Sequence, residues 1–171
     1  FEQAVASGKL EPWLYQIPVS AGRSIFIPSG RLHAIGEGKV IFEVQQNSDT
    51  TYRVFDWNRT GLDGKPRKLH VEESLASIDF QDYEPALSSE EEPVLASCSW
   101  FRVEKFCLDE SKHWDSQERF AILAVAKGRV KVGSYELAPG SFCLLPADKE
   151  RYEFAPVGGV AEFLLVTLPL N

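Results

Sequence analysis

His33 closes a pattern whose spacing could serve a metal: Gly22-x5-Pro28-x-Gly30-x2-His33. A glycine turn precedes the apolar run Ser24-Ile25-Phe26-Ile27, and a proline ends it. A rigid strand pair of this kind delivers a neutral imidazole to an interior where other ligands can converge. The plainer reading is an ordinary surface or core histidine. Twenty residues further on stands Arg53, within Thr51-Tyr52-Arg53-Val54-Phe55. A guanidinium offers a planar fork to a phosphate or an oxyanion and stays charged. It is equally open to pairing with Asp49 as scaffolding. Between them, alternation along Phe42-Glu43-Val44-Gln45 places Glu43 and Gln45 on one strand face, which solvent alone could explain.

The elements that must hold these residues are short. Helix formers open the chain up to a stop at Gly8, and Pro12 begins a new segment. From Ile17 the texture becomes β-like, with strands expected at 24–27, 39–44 and 51–55. Residues 61–68 (GLDGKPRK) read as a charged surface loop, and Val71 to Ile78 as a short helix. The stretch 88–93 (SSEEEP) is polar, acidic and closed by proline, the mark of a linker. Beyond it strands are expected at 100–108, 119–126, 129–132, 141–145 and 161–168, with Trp100, Phe101, Phe106 and Phe120 in their core. Many short strands with glycine turns and little helix indicate a sandwich or barrel.

An internal repeat supports two such units. Gly140, the filling Ser141-Phe142-Cys143-Leu144-Leu145 and Pro146 echo Gly22, its apolar run and Pro28. Five residues after Pro28 comes His33, but five after Pro146 comes Arg151. A metal position in the first unit is therefore expected to be lost in the second.

The His33 pattern resembles the second motif of the cupin superfamily, in which the histidine points into a double-stranded β-helix and binds a divalent metal. The continuation is more specific. Pro28 to Ile35, Glu43, Gln45 to Asp49, Thr51 to Phe55, Asp56 and Arg59 resemble the signature of bacterial type I mannose-6-phosphate isomerases. Gly64-Lys65-Pro66-Arg67-Lys68-Leu69-His70 is similar to a later G-K-P-R-x-L-H segment of that family. The likeness covers most of residues 5–80.

The resemblance implies an all-β protein with a few short helices. Residues 1–87 would be the C-terminal part of a catalytic cupin barrel incomplete at its N-terminal side, 88–95 a linker, and 96–171 a second, degenerate cupin. It implies a metal-dependent isomerase interconverting mannose 6-phosphate and fructose 6-phosphate. His33 would be a ligand of one Zn2+ per complete chain, Arg53 the catalytic arginine, and Glu43 and Asp49 pocket residues handling protons or orienting Arg53. Asp56 and Arg59 read as loop-fixing residues, Gln45, Gln46 and Asn47 as partners of a turn, and His70 and His113 as ordinary surface histidines.

A catalytic zinc takes three protein ligands and an open position. The family's remaining ligands, a QVHP-like histidine and a GKTE-like glutamate, do not occur here. With no initiator methionine, the chain reads as a fragment, and alone it is expected to be inactive. The alternative is a non-catalytic cupin serving as a sugar-binding or regulatory module. A net charge of −7 without basic clusters argues against nucleic acid. No apolar run is long enough to span a bilayer, and the N-terminus lacks signal-peptide regions. Three cysteines without CxxC spacing fit free thiols in the cytoplasm.

Overall fold

Alternating apolar residues build the second half of the chain into two facing antiparallel sheets. The structure is a computed structural model and describes residues 1–57, 59–61, 63–82, 84–88 and 92–169. It divides into two units, Phe1–Leu87 and Ser88–Asn171. Residues 89–91 of the expected linker lie outside the described residues.

The second unit contains β1 (Val94–Ser97), β2 (Arg102–Leu108), β3 (Lys112–Asp115), β4 (Ala121–Lys127), β5 (Val130–Val132), β6 (Tyr135–Leu137), β7 (Phe142–Leu145), β8 (Arg151–Pro156) and β9 (Ala161–Thr167). One sheet runs β1-β2-β9-β4-β7 and the other β3-β8-β5-β6. Along β9, Ala161, Phe163, Leu165 and Thr167 are buried while the residues between them are half-buried, the period-two pattern of a strand with one face on the core. Phe163 stacks on Phe106 at 5.1 Å and meets Phe154 edge-on at 5.1 Å. These rings join side chains of both sheets into one core. Gly128 makes the β4–β5 turn possible: its φ is +68° and an added Cβ would lie 2.2 Å from the Val160 carbonyl oxygen.

The five strands expected after residue 96 are all present. The aromatic assignment needs correcting. Trp100 is 59% exposed and Phe120 40% exposed: Trp100 stands two residues before the first paired residue of β2, and Phe120 falls on the outward face it shares with Ile122. Phe106 packs against the core, and Phe101 is half-buried.

The first unit is held differently. It has α1 (Glu2–Ala6), a 3-10 turn at Glu11–Trp13 and α2 (Val71–Ser77). The strands expected at 24–27, 39–44 and 51–55 are not formed. Among the described residues, 24–27 contributes a single bridge, Ile25 to Leu87. Backbone N–H and C=O groups make a strand only against a neighbour, and the described residues give these runs no ladder. A small cluster takes the place of a sheet, with Ala4, Leu10 and Val54 buried and Phe1, Val5, Leu14, Leu32 and Phe55 packed on it.

Candidate functional site

Leu32 and Val54 lie in that one cluster. Their neighbours in sequence are His33 and Arg53, so the segments that carry both are anchored on the same cluster. Two polar straps fix the segments that carry them.

The first strap holds the approach to His33. Arg31 grips Asp82 through one guanidinium edge, Nε to Oδ2 at 2.9 Å and Nη2 to Oδ1 at 2.6 Å, and its Nη1 donates to the Phe26 carbonyl at 2.6 Å. Such a bidentate pair fixes orientation as well as position. Gly30 sits beneath it with φ +92°, its Cα so close to α2 that a Cβ would be 3.0 Å from the Ser77 oxygen. The His33 ring is exposed, and its Nδ1 lies 3.0 Å from the Arg31 carbonyl oxygen. A carbonyl only accepts, so the contact is a hydrogen bond in the tautomer that carries its proton on Nδ1, the one that frees Nε2 for a metal.

The second strap holds Arg53. Its N–H donates to Nδ1 of His70 at 3.3 Å, and the His70 N–H donates to the Arg53 carbonyl at 2.8 Å. His70 therefore has a structural partner that its sequence surroundings did not suggest. Asp56 is buried and accepts from Arg59 Nη2 at 2.8 Å and from Arg67 Nε at 2.6 Å, with a further short bond from Arg67 Nη2. The Arg67 hydrogen bond, aided by Arg59, outweighs burial and holds the Asp56 carboxyl down at about 2. Asp56 and Arg59 fix a loop, and Arg67, which closes the GKPR segment, is the partner that reasoning from spacing missed.

Glu43 and Asp49 are exposed, and among the described residues no hydrogen bond or ion pair ties either to His33 or Arg53. Between them, Gln45 Nε2 donates to the Ser48 carbonyl at 2.7 Å, a local contact. Among the described residues, no three His, Cys, Asp or Glu side chains converge as a metal site would need. The residue corresponding to His33 in the repeat, Arg151, opens β8 and binds Asp115 through Nε at 2.7 Å; this bond pushes the Asp115 pKa down. Gly22 and Gly140 have φ of 88° and 84°, so the two turns share a backbone conformation although only the second leads into a paired strand.

No protein-family model matches the chain. It is 36% identical over 162 residues to a mannose-6-phosphate isomerase of Streptococcus mutans, a match over 89% of this chain and 51% of that protein. To a mannose-6-phosphate isomerase of Bacillus subtilis it is 32% identical over 153 residues, 83% of this chain and 49% of that one. The crystal structure of the mannose 6-phosphate isomerase from Bacillus subtilis superposes with a TM-score of 0.53 at 23% identity, over 71% of this chain and 41% of the other. That likeness is one of fold, and it agrees with the all-β, cupin-type architecture. The chain spans about half the length of the curated relatives it matches.

Proposed function

We propose that this chain, a relative of the mannose-6-phosphate isomerases over most of its length, is the part of such an enzyme that presents His33 to a metal and Arg53 to a hexose phosphate. In this reading the complete protein interconverts mannose 6-phosphate and fructose 6-phosphate. Residues 1–87 are then the C-terminal part of the catalytic cupin domain and 96–171 a second cupin without a metal site. The observation that carries the reading is the match to mannose-6-phosphate isomerases over most of the chain, a stretch that includes His33 and Arg53.

Aldose–ketose interconversion moves a proton between C1 and C2 through an enediolate. The negative charge that develops on oxygen needs a fixed cation, and Arg53 supplies one from a backbone tied to His70. Alternatively it grips the phosphate, for which a guanidinium is equally suited. His33 fits a metal through its Nε2, and the remaining ligands come from outside this set of residues. The chemistry a divalent ion held there would supply, Zn2+ in this reading, is polarisation of the substrate oxygens. Glu43 and Asp49 join the pocket only where the run 37–50 is drawn in against the rest of the complete protein. Three free thiols, Cys98, Cys107 and Cys143, suit a cytoplasmic setting. Among the described residues no helix is long and apolar enough to cross a membrane.

The test is made in the complete protein. Arg53→Ala is expected to lower kcat by about 10²–10³-fold with zinc content unchanged, and His33→Ala to release the zinc. Wild-type turnover in the first variant, or a full complement of metal in the second, would remove that residue from its role.

A further inference from the structure

Trp57 has a φ of 49°. A bulky side chain in the left-handed region is a rare and unfavourable arrangement, and such outliers gather at sites of function. Its surroundings hold it there. Asp56, immediately before it, is clamped by Arg59 and Arg67, the Phe55 ring lies 5.1 Å from the indole, and the Arg59 guanidinium carbon sits 5.8 Å from the indole centre.

The strained indole forms part of a cleft. An open depression of about 370 Å³ is lined by Gly8, Lys9, Glu11, Pro12, Phe55 and Trp57, all in the first unit. Val54 and Asp56 are buried, while Arg53, Phe55 and Trp57, which alternate with them, are not. Two aromatic residues, a lysine and a glutamate are therefore among the residues lining one depression. Aromatic faces suit the C–H face of a pyranose, an ammonium suits an anion, and a carboxylate accepts hydrogen bonds from hydroxyl groups.

We propose that this cleft binds a pyranose bearing an anionic group, its ring lying on Trp57 and Phe55, its anion on Lys9 and its hydroxyls on Glu11. The site uses neither His33 nor Arg53 and requires no metal, so it goes beyond the isomerase reading.

The test is an NMR titration of the 171-residue chain with mannose 6-phosphate, mannose and inorganic phosphate in separate arms. The Trp57 indole N–H and the Lys9 amide are the reporters. Mannose 6-phosphate is expected to shift both, and Trp57→Ala to weaken binding by about tenfold. Trp57→Phe should restore part of that loss, because a ring remains. Lys9→Ala, at an exposed position, should weaken mannose 6-phosphate and leave mannose unchanged. Turnover of Arg53→Ala in the complete protein tests the isomerase reading and the Trp57 indole shift tests this one, so that failure of either is told apart. The proposal is overturned by an unmoved Trp57 indole, by a folded Trp57→Ala chain that binds as the parent does, or by inorganic phosphate shifting both reporters as strongly as the sugar phosphate.

Discussion

Residues 24–27 and the strand Phe142–Leu145 follow the same local plan, a left-handed glycine, an apolar run and a proline stop, yet they end in different states. Phe142–Leu145 pairs residue by residue with Ala121 to Ala124. The earlier run has one bridge, at Ile25. Equal propensity with unequal outcome shows that a strand is a property of two segments, because neither run can satisfy its own backbone groups. The first unit compensates with side-chain straps and a cluster of three buried residues, the second with nine strands around an aromatic core.

The sharpest measure of this contrast is amide exchange. Amides in 39–44 should exchange close to the unprotected rate, and those of β9 at least about a thousandfold more slowly. Protection of 39–44 equal to that of β9 would break the comparison. Truncating the second core comes next. Phe163→Ala should cost about 3–5 kcal/mol, and Leu10→Ala in the first unit's small cluster nearer about 2. Chemical denaturation followed separately in each unit would distinguish them, and a single shared transition would show the units to be coupled.

Smaller effects sharpen the picture. Gly128→Ala forces a side chain into the Val160 carbonyl and should cost about 2–3 kcal/mol. Gly30→Ala, with 3.0 Å of clearance, should cost about 1–2. The mildest change is with pH. The Asp56 carboxyl is depressed to about 2, so its contribution is complete above the ordinary carboxylate value. It is lost as pH falls from about 4 toward 2. The Arg67 and Arg59 side-chain signals should change over that window, whereas Asp56→Asn should remove the pH dependence.

The sequence revealed the second unit better than the first because period-two burial is a local signal. It was weakest at β3 and β8. There Trp114, Tyr152 and Phe154 point inward, but Lys112, Asp115, Arg151 and Glu153 make the runs look like loop. The R-Y-E-F alternation at 151–154 was present and could have been used. For the proposed site, the motif singles out His33 and Arg53, but which residues hold them was not legible. The pairing of Arg53 with His70 and of Arg31 with Asp82 spans 17 and 51 positions, and no periodicity encodes contacts at such range. Glu43 and Asp49 share the motif's spacing with Arg53, but spacing alone does not bring side chains together.

The left-handed backbone at residue 57 sets stability and ligand capture against each other at a single codon. Glycine or asparagine would relax the main chain there and remove the indole at the same stroke. A library randomised at this position and sorted for heat resistance should therefore fill with small residues, while the same library sorted on immobilised sugar phosphate should keep the aromatic ones.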